Sequence, residues 1–206
     1  MWRSYRLLFG PLAAILLFFG IVGLGLVVPG YSQVRQTVSE IGEMGSPAQI
    51  PFAILLVSVS ACVVVFAMGV RDISSEAGRS SLPAYVIGFM ALSVTGVGVF
   101  AYPHPLHGIF GLSELIGDLA PLILALTWRR DSRMSPVVGF SWVMTGLLWI
   151  SIALNLSSLN RHAAIFTSVQ PFYGLVQRSL FVLWFGWCAV VGVMLFRGNL
   201  ESDRKR

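Results

Sequence analysis

IPFAILLVSVSACVVVFAMGV, from Ile50 to Val70, carries no charged side chain over a length that matches the hydrocarbon of a bilayer. A core of about 30 Å takes roughly 20 apolar residues of helix, because an unpaired backbone amide left in hydrocarbon costs several kcal/mol. Five further stretches read the same way. The expected spans are Leu7 to Val28, Ile50 to Val70, Leu82 to Tyr102, Ile109 to Trp128, Pro136 to Leu156 and Phe172 to Phe196, the fourth being the least apolar. The predicted fold is therefore an all-α bundle of six transmembrane helices, with residues 1–206 forming one integral membrane domain.

Composition supports this. Of the 206 residues 56% are hydrophobic and 11% charged, where a soluble domain carries about a quarter charged residues, and the mean hydropathy is +0.80. A net charge of +5 does not point to nucleic acid, because the basic residues form no continuous stripe. They fit membrane topology instead. Counted alternately, one side receives Arg3, Arg6, Arg71, Arg79, Arg129, Arg130, Arg133, Arg197, Arg204, Lys205 and Arg206, and the other only Arg35, Arg161 and Arg178. Positive charge stays cytoplasmic, so both termini are expected there. The apolar run after Arg6 is long, and Pro29-Gly30-Tyr31 lacks a small-x-small cleavage pattern, so it reads as a retained first helix.

The first external connection, Pro29 to Gln49, has a pattern of its own. Val34, Val38 and Ile41 recur at helical spacing, which predicts a short helix in the outer interface, ended by Gly42, Gly45 and Pro47. Small residues four apart, such as Ala84 and Gly88, suit close helix contacts. Cys62 and Cys188 fall inside apolar runs and read as buried hydrophobes. Trp2 and Trp128 fall at the inner boundary, whereas Trp142, Trp149, Trp184 and Trp187 read as packing residues.

Ionisable groups at membrane depth are costly and usually face the bundle interior. His107, Glu114 and Asp118 stand seven and then four residues apart, which sets them within about 20° of one line on a helix. At about 1.5 Å per residue, Glu114 lies roughly 7 Å and Asp118 roughly 13 Å below the outer end, and Arg178 roughly 9 Å below its own. The matched depths predict that Arg178 pairs with Glu114 or Asp118, since a lone guanidinium there would be uncompensated. Two acids then share one base. The plain reading is a lock between helices four and six; the functional reading is an outer pocket handling protons or a ligand.

His107, Glu114 and Asp118 are the candidate catalytic residues; Arg178, Gln177, Glu40, Ser39 and His104 are the candidate ligand contacts. His104 and His107 are also candidate metal ligands, to which Glu114 and Asp118 could add oxygens. Pro105 prevents regular helix geometry between the two histidines and the glutamate of a zinc-protease helix is missing, so no metal or other cofactor is expected. Asn155 and Gln177 are expected to hydrogen-bond across helices. There is no phosphate-binding glycine loop, no Gly-x-Ser-x-Gly elbow, and no lysine in any span for a Schiff base.

Several short motifs occur in order: Tyr31-Ser32, Val38-Ser39-Glu40-Ile41-Gly42, Ser46-Pro47, Gly98-Val99-Phe100 with Pro103, Leu106-His107-Gly108, and Gly174 with Gln177-Arg178. Together they resemble the family known as domain of unknown function 998, a set of mostly bacterial and archaeal multi-span membrane proteins. Tyr102 stands where that family usually has phenylalanine. The resemblance implies a bacterial plasma membrane and no particular activity. Three readings stay open: a binding or transport protein for a lipid headgroup or small solute, which leads; an intramembrane hydrolase or transferase acting on an outer-leaflet lipid, with His107 as base; and a structural subunit. Membrane lipid is the expected partner, and the oligomeric state is left open.

Overall fold

The computed structural model of the chain describes residues 2–160, 162 and 164–204; Arg161, Lys205 and Arg206, and the surroundings of the Trp2 side chain, lie outside the described residues. Among these residues six helical segments are long and apolar enough to cross a membrane: α1 (Arg6–Val27), α2 (Gln49–Glu76), α3 (Leu82–Val99), α4 (Pro105–Trp128), α5 (Ser132–Leu159) and α6 (Ala164–Asn199). Each contains its expected span except α1 and α3, which stop one and three residues short.

Proline marks several helix starts. Pro83, Pro105, Pro121 and Pro136 each occupy a first or second helical position, where a missing N–H costs nothing. Pro105 thus begins α4 and does not disrupt it, with His104 as the N-cap accepting from the Leu106 amide at 3.2 Å. Pro121 interrupts α4 at Asp118 and Leu119, dividing it into Pro105–Gly117 and Ala120–Trp128.

Sequential helices are neighbours, and α1 packs on α6, so the six close into a ring. Its interior holds Phe66, Trp184, Phe185 and Trp187. Its outside is apolar as well, with Phe19, Leu26, Ile50, Ile109 and Leu112 exposed. An apolar exterior on this scale calls for lipid as solvent. Cys62 and Cys188 are buried free thiols.

The close backbone approaches are not at Gly88, where an added Cβ would meet nothing within 4 Å. They occur at Gly10, whose Cβ would stand 2.5 Å from the Cys188 carbonyl, and at Gly192, 2.4 Å from that of Leu7, so a glycine on each of α1 and α6 admits the other's backbone. Trp142 and Trp149, expected to pack, are about half exposed on the ring's outer surface.

One face holds both ends of the described chain, Asn199 Nδ2 donating to Ser4 Oγ at 3.0 Å. On this terminal face Arg6 pairs with Asp72 at 2.8 Å, and Asp131 receives Arg79 at 2.6 Å and Arg133 at 3.2 Å. Trp128 is buried there and does not sit in the interface: its indole donates to the Ser80 carbonyl at 3.0 Å and Arg79 lies over its ring. Bonds from both arginines hold the Asp131 carboxyl at about 2, with the Arg133 hydrogen bond as the larger cause.

Candidate functional site

On the opposite face the α1–α2 connection folds back over the ring. Val38–Gly42 forms a 3-10 helix at the expected place, but Val38 and Ile41 are buried against α1, α2 and α6 and do not rest in the interface, while Val34 is exposed. The turn therefore caps the bundle mouth. Thr37 begins it, its amide and hydroxyl both donating to the Glu40 carboxylate.

Arg178 holds this cap down. Its Nη1 donates to the carbonyls of Gln36 at 2.8 Å and Gly174 at 2.9 Å, and its Nη2 to Gln33 Oε1 at 2.6 Å and to the Tyr31 hydroxyl. The expected pairing with Glu114 or Asp118 is replaced by these bonds. The guanidinium turns toward the connection, where several oxygens converge on its planar fork, and away from α4. Burial pushes the Tyr31 phenol above its ordinary 10.0, against the opposing pull of Arg178. Gly174 makes the approach feasible: a Cβ there would lie 2.4 Å from the Gln36 carbonyl and 2.7 Å from that of Gln33. Gln177, one residue before Arg178, accepts from the Val38 amide at 2.7 Å and so binds the cap, not a neighbouring span.

His107 is buried beneath the cap. Its Nδ1 lies 2.8 Å from the Phe100 carbonyl and 3.1 Å from that of Val97, and its Nε2 lies 2.9 Å from Ser39 Oγ. Carbonyls only accept, so Nδ1 carries the proton; in the neutral ring Nε2 accepts from the Ser39 hydroxyl. Ser39 is thereby set against an imidazole from a helix far away in sequence.

Beside this pair the ring is open. The terminal half of α4, Ala120–Trp128, packs on α3 and α5, whereas the other half, Pro105–Gly117, lies along α3 and diverges from α5 and α6 beyond Gly117, whose carbonyl the Trp184 indole still reaches. The seam encloses about 650 Å³, bounded by Ser39, Glu40, His107, Gly111 and Glu114 on one side and Asn155, Tyr173, Gln177 and Phe181 on the other. Asn155 is fixed, its Nδ2 reaching the Ser151 and Val176 carbonyls and so crossing from α5 to α6 as expected. Glu114 faces the cavity with no hydrogen bond or ion pair from any described residue.

The predicted residues therefore divide. Ser39, Glu40, His107, Glu114 and Gln177 share one cavity. Arg178 does not line it, and Asp118 is the C-cap of the Pro105–Gly117 half of α4, its amide donating to the Glu114 carbonyl at 2.9 Å. His104 is the N-cap of that helix, its ring stacked on Phe100. Among the described residues no three His, Cys, Asp or Glu side chains converge as metal ligands. Sequence reasoning missed Tyr31, Gln33 and Gln36 as the partners of Arg178, since polar loop residues carry no signal of the helix they fold onto.

The motifs that were separate in sequence now meet: Tyr31 with Arg178, Ser39 and Phe100 with His107, Val38 with Gln177, and Gly174 under the connection. Residues 11–194 match the family described as Protein of unknown function (DUF998). The chain belongs to the DUF998 family. No curated protein and no solved structure matches it. In this DUF998 member the motif residues build the cap and one wall of the cleft.

Proposed function

We propose that this DUF998 protein binds an amphiphile in the cleft between α4 and α5–α6, with the alkyl chain leaving through the seam into lipid and the polar head beside Ser39, His107 and Glu114. The observation that carries this reading is the seam itself, whose wall combines the polar groups of Ser39, His107 and Glu114 with the apolar side chains of Phe166, Leu180 and Phe181. A volume of about 650 Å³ suits a lipid headgroup or small solute. Glu114 without a cation favours a head that brings hydrogen-bond donors or positive charge. Arg178, whose two Nη groups are bonded to the connection and to Gly174, is replaced in this role by the acid.

The excess of arginine on the terminal face supports a cytoplasmic location for that face and an extracytoplasmic cleft. The family's usual membership supports a bacterial plasma membrane as the location. The test is native mass spectrometry of protein extracted gently from membranes. A co-purifying lipid or solute that is lost in Gly111→Phe is expected, because a Cβ at Gly111 meets nothing within 4 Å and the ring would fill the cleft. Equal retention by both proteins would place the ligand elsewhere and defeat the reading.

A further inference from the structure

A hydroxyl, an imidazole and a free carboxamide lining one cleft are parts that acyl transfer requires. We propose that Ser39 is a nucleophile, His107 its general base and Gln177 the oxyanion donor, for transfer of an acyl group from an ester-bearing amphiphile. The substrate's route into the site rests on the cleft reading above; the serine–imidazole pair does not.

Ser39 Oγ stands 2.9 Å from His107 Nε2, within the range for proton transfer from nucleophile to base. The third part of such a constellation fixes the tautomer and aim of the imidazole. Here the Phe100 and Val97 carbonyls do so, at 2.8 and 3.1 Å from Nδ1. The other nitrogen of the neutral ring, Nε2, needs a donor, and the donor it has is a hydroxyl on the cavity wall. Ser39 is held in place on both sides, by the bond between Val38 and Gln177 and by the Thr37–Glu40 bonds. The Val38 amide occupies Gln177 Oε1, which leaves the Nε2 donors without a partner among the described residues, on the wall that Ser39 shares. An amide donor so positioned is suited to a developing oxyanion.

In the reaction Ser39 Oγ attacks the ester carbonyl carbon as its proton passes to His107 Nε2. The tetrahedral oxyanion collapses, the carbon–oxygen bond to the alcohol breaks, and the imidazolium returns the proton to the departing oxygen. Ser39 then carries the acyl group as an ester. Water, or the hydroxyl of a second amphiphile, is deprotonated by the same nitrogen and attacks the acyl-serine, releasing an acid or a new ester and restoring the Ser39 hydroxyl. No oxidant, reductant or metal enters the balance.

The test treats the purified full chain in detergent with an alkyl fluorophosphonate, whose phosphorus takes the place of the ester carbon and whose fluoride leaves. One adduct is expected, mapped to Ser39 by peptide mass spectrometry, absent in Ser39→Ala, at least ten-fold slower in His107→Gln, and unchanged in Ser113→Ala. Ser113 is a fair control, because its hydroxyl is bonded to Ser93 and the Phe110 carbonyl. A wild-type protein without adduct at saturating reagent overturns the proposal whatever the variants do, as does a rate indifferent to His107→Gln or an adduct on another serine. Retained lipid in a protein that forms no adduct would end the catalytic proposal and leave the cleft reading standing. An adduct at Ser39 with no retained ligand would do the reverse.

Discussion

The indole N–H of Trp184 donates to the Gly117 carbonyl at 3.0 Å, and that carbonyl is the one whose helical donor would be the amide of residue 121, a proline. The break in α4 is thus closed by a side chain from α6. It keeps the terminal half of α4 in the ring and lets the other half diverge to form the cleft. Trp184→Phe keeps a ring in the buried site but orphans the carbonyl. We expect a loss of about 1–3 kcal/mol, read as a lower Tm in detergent.

Arg178 ties the cap to α6, and its bonds depend on a planar fork. Arg178→Lys supplies a point charge to acceptors arranged around a guanidinium and should cost about 2–3 kcal/mol, with Arg178→Ala worse. Hydrogen exchange should then rise across residues 31–42 more than in any span. An unchanged exchange pattern would contradict the strap.

Gly174 tests the same docking without touching charge. Gly174→Ala places a methyl 2.4 Å from a backbone oxygen that cannot rotate away, so the connection must lift. The expected penalty is about 1–3 kcal/mol, with the same local rise in exchange. Gly88→Ala, with open space around it, should be close to neutral.

On the terminal face the pH dependence has a definite sign. Asp131 titrates at about 2 when folded against an ordinary 3.8, so its bonds stabilise fully above about pH 4 and are lost as pH falls through 2. Asp131→Asn should lower Tm at pH 7 and flatten the decline between pH 4 and 2. A decline as steep as in the parent would show that these ion pairs contribute little.

The six spans were legible because length and apolar run decide them, and the charge asymmetry because arginines cluster between spans. Helical spacing also placed Glu114 and His107 on one wall. What the sequence withheld was the rotation of α6 and the path of the connection. Depth alone made Arg178 and Glu114 look like partners, yet depth does not say which way a side chain turns. A polar stretch such as Tyr31 to Thr37 carries no periodicity to reveal that it folds inward. Ser39 read as a ligand contact and not as the partner of His107 for the same reason: their meeting depends on where the cap docks.

The cleft exists because the Pro105–Gly117 half of α4 diverges from α5 and α6. The most direct measurement is a density map of the protein in lipid nanodiscs, extracted without prolonged detergent. The account predicts an elongated density entering the seam between Gly111 and Tyr173, its head beside Ser39, His107 and Glu114. A map with Pro105–Gly117 seated against α5 and α6 and nothing between them would contradict it.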